Sequence, residues 1–266
     1  MILRYFASLI LQKIKCKKIQ LIRLIYISFI APLILTGKKK RKAKEITCTE
    51  ISELFQNGSM LIRSLDGTTL KKLEESTVII ENKGVGRSKI SNEMLKHLIY
   101  KYNITDVAKT YFAGFWNKRD LIIVAFKEKR IPIKYHINEY DHATFYHRDI
   151  EGVRQLKIFI YLDNTTKENG AHEYILKSHL LEKKDYFKIY NRFSPECYDM
   201  NVEKVRYDGP PGMAILEDTF GLHRAGNVLN GERNMLIINI YAKQDYDAFG
   251  GTIHDSKYTT TEIISG

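Results

Sequence analysis

A histidine and an aspartate stand two positions apart in the segment Phe-Tyr-His-Arg-Asp, as His147 and Asp149. In an extended segment, side chains at positions i and i+2 point to the same side, so one strand edge can present both to a single ion. Such a pair also arises by chance, as a turn histidine followed by a capping aspartate. The rest of the sequence must therefore show whether this pair is a metal site or a chance occurrence.

A third ligand is needed, because two ligands from one short segment do not hold a six-coordinate ion. The candidates downstream of the pair are His172, His179, His223 and His254. His223 stands out because it falls in the connection between two apolar stretches, and Arg233 follows ten residues later at the entrance to the second. Two histidines and one carboxylate on one face of a metal, with open positions opposite, form the arrangement of non-heme Fe(II) oxygenases.

Arg233 adds a second feature to this interpretation. A guanidinium group is a fixed, two-pronged donor for a carboxylate, such as the distal carboxylate of 2-oxoglutarate. Its ordinary alternative is a surface salt bridge, which contributes little to stability. His142, five residues before His147, is the main competitor for the metal, whereas His172 and His179 more often serve as structural or pocket-lining residues.

The elements that must position these residues fall into two groups. Helical spacing and caps predict short helices early in the chain, near residues 49–55, 68–75 and 91–102. Short β-rich runs separated by turn-forming residues are predicted at 77–80, 120–126, 131–140, 156–162, 212–217 and 234–242. This order predicts an α+β fold, in which N-terminal helices flank a double-stranded β-helix, the jelly-roll core of cupins.

The basic charge of the chain is concentrated at its N-terminus. Residues 1–44 hold twelve Lys or Arg and no acid, which leaves 30 of the 42 basic residues against all 31 acidic ones in the remainder. A nucleic-acid interface needs Lys and Arg clustered on the folded domain, so nucleic-acid binding is disfavoured. The three cysteines, with no C-x-x-C spacing, favour a reducing, cytoplasmic setting over a disulfide framework.

Three segments are predicted along the chain: a basic and apolar extension at 1–44, a catalytic domain at 45–243 and a polar tail at 244–266 that wraps the surface or frays. The apolar stretch of the extension is shorter than the roughly 20 residues of a spanning helix. Three interpretations of residues 1–44 stay open: peripheral contact with an anionic membrane, a targeting leader, and a dispensable extension.

Four sequence blocks resemble the phytanoyl-CoA dioxygenase family, a branch of the Fe(II)- and 2-oxoglutarate-dependent oxygenases. The blocks are His-Arg-Asp at 147–149, LKIFIYLDNTTKENGAHEYILKSH at 156–179, PGMAILEDTFGLHRAGN at 211–227, and Arg233. The resemblance implies a dioxygenase domain that uses O2, with His147, Asp149 and His223 as iron ligands and Arg233 as the 2-oxoglutarate anchor. Relatives that halogenate lack the carboxylate ligand, so Asp149 favours hydroxylation.

Two positions depart from the family pattern. Leu176 and Lys177 replace the first two residues of the usual Pro-Gly-Ser-His stretch, in a loop that shapes the barrel. Ala225 stands two residues after the distal histidine, where a hydroxyl often helps to hold the co-substrate. Lys134 is a candidate for a second positive charge near that co-substrate.

The leading functional hypothesis is an Fe(II)- and 2-oxoglutarate-dependent dioxygenase that hydroxylates a small-molecule or lipid-like substrate and converts 2-oxoglutarate to succinate. One alternative is a non-catalytic jelly-roll that binds a ligand and is anchored at a membrane by its N-terminus. Another is a hydrolase that holds Zn²⁺ with the same three ligands. A requirement for 2-oxoglutarate separates the first hypothesis from the other two.

Overall fold

The computed structural model describes residues 51–75, 78, 84–112, 120–132, 142–149, 155–180, 202–243, 246 and 257–265. The predictions for the extension at 1–44, for most of the strands at 77–80 and 131–140, for Lys134 and for His254 lie outside these residues. Among the helices of the described part, none is both long and apolar enough to cross a membrane.

A short 3-10 helix spans His142–Thr144, and the four α-helices whose bounds lie in the described residues all precede the long strands. Their bounds are Ser52–Asn57 (α1), Gly67–Glu74 (α2), Asn92–Lys101 (α3) and Ile104–Phe112 (α4). Asp66 caps α2 by accepting from the Thr69 amide, and Ser91 caps α3 by accepting from the Met94 amide. These side-chain oxygens satisfy N–H groups that the first turn leaves without an intrahelical partner.

The strands are mostly antiparallel and form two sheets. Their bounds are Ser59–Ile62 (β1), Val85–Ser88 (β2), Leu121–Arg130 (β3), Gln155–Tyr161 (β4), His172–Ile175 (β5), Lys204–Tyr207 (β6), Ala214–Glu217 (β7), His223–Ala225 (β8), Arg233–Ala242 (β9) and Thr260–Ile264 (β10). Within the described residues, the large sheet has the order β1-β7-β4-β9-β3-β10, with β2 also paired to β3, and the small sheet has the order β6-β5-β8.

The central strands of the large sheet, β3, β4, β7 and β9, are buried on both faces, and alternate residues of each strand lie on different faces. One face packs against the helices and is apolar; β4 and β9 contribute Leu156, Ile158, Ile160, Leu236, Ile238 and Ile240. The other face packs against the small sheet through side chains that include Phe126, Phe159, Tyr161, Met235 and Ile237. We call these the helix face and the site face, because the candidate site lies on the second.

Several elements differ from the sequence-based expectation. Residues 260–264, expected to wrap the surface or fray, pair with β3 from Thr260 opposite Ala125 to Ile264 opposite Leu121. His223, expected in a connection, is the first residue of the three-residue strand β8. Both errors have the same cause: a strand of three to five residues with polar members carries no period that distinguishes it from a loop.

Candidate metal centre

Backbone pairing brings His147 and His223 side by side, although 76 positions separate them in the chain. The two residues form an antiparallel bridge in which each amide donates to the other's carbonyl at 3.0 Å. The Asp149 amide then donates to the Thr219 carbonyl at 2.9 Å, which fixes the same segment two residues further on. The segment is therefore extended at the small sheet, as the i, i+2 spacing predicts.

The hydrogen bonds of the two imidazole rings select the atom that each ring presents. His147 Nδ1 lies 2.7 Å from the Phe145 carbonyl oxygen, and His223 Nδ1 lies 3.0 Å from the Gly221 carbonyl oxygen. A carbonyl oxygen only accepts, so each Nδ1 carries the proton and donates. In the neutral ring the lone pair is then on Nε2, the arrangement that a carbonyl at the other ring nitrogen imposes on metal-binding histidines.

The two Nε2 atoms and the Asp149 carboxylate converge on one point. His147 Nε2 lies 3.6 Å from Asp149 Oδ1, and His223 Nε2 lies 3.4 Å from Asp149 Oδ2. One ligand atom from each residue fits within a mutual spacing of 4.8 Å. Ligands at right angles and about 2.1 Å from an ion are about 3 Å apart. The donor set and its spacing thus fit a divalent metal after a small contraction.

Asp149 is charged in this setting. Burial raises the pKa of its carboxyl group, but Lys157, His223 and His147 outweigh that effect and hold the pKa well below its usual range. The nearest of these charges is Lys157, whose Nζ lies 2.7 Å from Asp149 Oδ2. Conversely, burial lowers the pKa of His223, but the Asp149 charge outweighs burial and the pKa is raised. An anionic carboxylate is the form that ligates a metal.

His172 and Glu217 form a buried pair next to the triad. His172 Nε2 lies 2.8 Å from Glu217 Oε2, and Ser59 donates to Glu217 Oε1 at 3.0 Å. Burial raises the pKa of Glu217 to about 8 and lowers that of His172 well below its usual value. Both groups are therefore largely neutral at pH 7, and the pair is a hydrogen bond rather than a salt bridge. His172 lines the pocket, as the sequence indicated, and Glu217 was not foreseen.

Arg233 is the first residue of β9, and its side chain is only 2% exposed. It donates to the Gly170 carbonyl through Nη1 and lies 3.8 Å from Glu128 Oε1 through Nη2. Burial raises the pKa of Glu128, but Arg130 and Arg87 outweigh it and lower the pKa to about 2. Arg233 therefore belongs to a cluster of three arginines around one ionised carboxylate.

One cavity of about 180 Å³ connects the triad to Arg233. Its polar lining residues include Lys157, Glu128 and Arg87, and its apolar wall comes from the site face: Phe126, Phe159, Met235 and Ile237. Ala225 also lines it, so the position that departs from the family pattern is part of the same pocket. Lys157 and Glu128 were missed in the sequence, since a strand buried on both faces has no alternation that marks the site face. Arg87 was missed because its strand, β2, is only four residues long and has no distinct period.

His179 and three buried tyrosines next to the site have structural roles. His179 is 1% exposed, and its Nε2 lies 3.1 Å from the Phe55 carbonyl oxygen. Tyr146, Tyr161 and Tyr174 are buried, and each hydroxyl donates to a protein oxygen. Lys177 has φ of 64°, a left-handed conformation that glycine adopts at lower cost. This explains the usual glycine of the loop motif and shows that lysine is accommodated there.

No family model matches the sequence, and no curated protein matches it. Solved structures do match. EvdO2 from Micromonospora carbonacea var. aurantiaca is 14% identical with a TM-score of 0.51, over 74% of this chain and 91% of that chain. EvdO2 complexed with 2-oxoglutarate gives 16% identity and a TM-score of 0.51 over the same shares. HygX from Streptomyces hygroscopicus, with nickel, 2-oxoglutarate and hygromycin B bound, is 11% identical with a TM-score of 0.48, over 74% and 87%.

The likeness to EvdO2 shows a shared fold. It covers nine tenths of the length of EvdO2 at an identity of 14%, so the similarity lies in the arrangement of strands rather than in the residues. The chain therefore has the mostly antiparallel architecture of EvdO2, with a His-Asp-His group in a pocket on the site face of its large sheet.

Proposed function

We propose that this protein is an Fe(II)- and 2-oxoglutarate-dependent oxygenase that hydroxylates a small molecule. One observation carries the proposal: two histidines that present Nε2 and one ionised aspartate meet in a pocket that also contains a buried arginine. A hydrolase that holds Zn²⁺ or a simple binding module has no need of that arginine. EvdO2, which shares the fold, binds 2-oxoglutarate.

The role of each residue follows from its position. His147, Asp149 and His223 would hold Fe(II) on one side and leave its other positions open to the cavity. Arg233 would bind the distal carboxylate of 2-oxoglutarate through a charge-assisted, two-pronged contact. Iron and 2-oxoglutarate, when bound, supply the activation of O2 with loss of CO2 and formation of succinate. The backbone carbonyls at Phe145 and Gly221 hold both rings in their tautomer throughout.

Lys157 keeps Asp149 in place. Its ammonium group lies 2.7 Å from Asp149 Oδ2, so one carboxylate oxygen is paired with the lysine and Oδ1 is available to the metal. Phe159 and Ile237 lie directly opposite each other on β4 and β9 and give the cavity a dry wall, against which an apolar part of a substrate would pack.

The finer assignments belong to the same proposal. We place the chain in the phytanoyl-CoA dioxygenase family, with a jelly-roll core, on the four sequence blocks and on the two antiparallel sheets that enclose the site. Asp149 favours hydroxylation over halogenation. We also keep the catalytic domain at 45–243, a cytoplasmic setting, and peripheral membrane contact through residues 1–44 as proposals.

The test is an anaerobic titration of the protein with Fe(II) and then with 2-oxoglutarate, followed by visible absorption. We expect a weak charge-transfer band that requires both components. His147→Ala should abolish it, and Arg233→Ala should weaken it by raising the concentration of 2-oxoglutarate needed. Absence of the band at saturating Fe(II) would favour a binding module, and tight Zn²⁺ binding without 2-oxoglutarate binding would favour a hydrolase.

A further inference from the structure

Charged residues occupy both ends of the cavity, and an apolar row separates them. At one end lie the triad and Lys157. Across the sheet, Phe159, Ile237 and Phe126 stand opposite one another in register and form the row. Beyond it lies the basic end, which consists of Arg87, Arg130, Arg233 and Glu128. Arg87 is directly opposite Glu128, and Arg130 is directly opposite Arg233.

The described lining residues hold more positive charge than the proposed cofactors need. The cations are Arg87, Arg130, Lys157 and Arg233, and the carboxylates are Glu128 and Asp149, for a net charge of +2. A divalent metal and the dianion of 2-oxoglutarate cancel each other. The proposed cofactors thus leave the excess of cations among the described lining residues unchanged. Cations that line a low-dielectric pocket favour a further anion.

Arg87 is the cation best placed to receive such an anion. Its side chain is 48% exposed, whereas that of Arg233 is 2% exposed. Nε and Nη2 of Arg87 both donate to Glu128 Oε2, at 3.3 and 3.2 Å, and the guanidinium group lies 4.8 Å over the Phe126 ring. The group is thus held in one orientation, and no described residue accepts from its Nη1, whose two N–H donors face a ligand.

We propose that the substrate carries an anionic group, a carboxylate, phosphate or sulfate, which binds to Arg87 at the basic end while its apolar part lies along Phe159 and Ile237. This inference rests on the proposed function and names its substrate class. Arg233 remains the anchor of the co-substrate, because it is buried at the inner end of the same cluster. Arg87 thereby determines specificity and takes no part in the reaction.

The test uses the protein loaded anaerobically with Fe(II) and saturating 2-oxoglutarate, with the charge-transfer band recorded first. Sulfate and acetate are then titrated by calorimetry at constant ionic strength, as probes of a tetrahedral anion and of a carboxylate. The variants are Arg87→Gln, Arg87→Lys and Arg206→Gln. Arg206 is the matched control, because it is 41% exposed, pairs with Asp208, and does not line the cavity.

We expect one anion to bind per protein without loss of the band. Arg87→Gln should weaken this binding about tenfold, Arg87→Lys should weaken it less, and Arg206→Gln should leave it unchanged. Tighter sulfate binding would assign a phosphate or sulfate group to the substrate, and tighter acetate binding a carboxylate. Either order supports the proposal.

Three results would overturn it: no anion binding, equal binding by wild type and Arg87→Gln, or an anion that bleaches the band by displacing 2-oxoglutarate. Failure of the proposed function is a separate result, since the band would then be missing before any anion is added. In that case the inference fails with the function on which it rests.

Discussion

The helix face and the site face of the large sheet are built by the same strands but bury different chemistry. On β9, Ile238 is completely buried against the helices, while its neighbour Ile237 lines the cavity. The helix face contains apolar side chains almost throughout, whereas the site face contains Lys157, Glu128 and Arg233 beside its aromatic residues. The helix face thus supplies the free energy of folding. The site face can hold charged side chains, whose burial would only destabilise a core that served folding alone.

The largest effect should come from removing the side chain of a candidate metal ligand at the site face. His223→Ala should lower the affinity for Fe(II) more than about a hundredfold, because even the loss of a group that only orients a metal ligand costs about 10- to 100-fold. The apoprotein should stay folded, since the backbone bridge to His147 does not involve the side chain. Anaerobic metal titration measures this.

His97→Ala is the matched control for that variant. The His97 ring belongs to α3, on the helix side, where its Nε2 lies 3.3 Å from the Thr69 hydroxyl. Its loss should leave Fe(II) affinity unchanged. Equal Fe(II) affinity in His223→Ala and wild type would contradict the ligand assignment.

Substitutions of the neighbouring isoleucines Ile237 and Ile238 test whether the two faces contribute differently to the stability of the fold. Ile238→Ala should reduce the free energy of unfolding by about 2–5 kcal/mol, the range for a fully buried aliphatic side chain. Ile237→Ala should cost less, because that side chain already borders a cavity. Chemical denaturation measures both. A larger loss for Ile237→Ala would mean that the site face, and not the helix face, carries the stability.

A further effect, which depends on a single buried carboxyl group, concerns the pH dependence of folding. Glu217 has its pKa raised by burial to about 8, so the folded protein binds a proton that the unfolded chain releases at lower pH. The free energy of unfolding that this bound proton contributes is therefore lost as pH rises from about 4.5 to 8, by at most about 1.4 kcal/mol per pH unit. Glu217→Gln should flatten that part of the stability profile. Superimposable profiles for the variant and wild type would show that Glu217 is ionised in the folded protein.

The sequence was sufficient to predict the triad and most of the long strands. The His-x-Asp spacing and the apolar runs around Arg233 are local signals, and the structure brings the four residues to one cavity. The bridge between His147 and His223 is not a local signal, since the short strands β5 and β8 have no apolar period. For the same reason, the tail strand β10 was not expected.

The charged wall of the cavity was harder to predict for a different reason. Lys157 and Glu128 interrupt apolar strands, and a lone charge in such a strand indicates neither which face it occupies nor what it opposes. Register decides both: Lys157 is opposite Glu217, and Glu128 is opposite Arg87. Pairing of distant strands is a property of the folded chain, so these neighbours follow only from the structure.

The most direct test of the account is a crystal structure of the protein grown anaerobically with Fe(II) and 2-oxoglutarate. We expect the metal at about 2.1 Å from Nε2 of His147, Nε2 of His223 and one oxygen of Asp149, with the distal carboxylate of 2-oxoglutarate on Arg233. A metal held by other residues, or a co-substrate carboxylate bound away from Arg233, would contradict the claim that the site face of the large sheet supports an oxygenase centre.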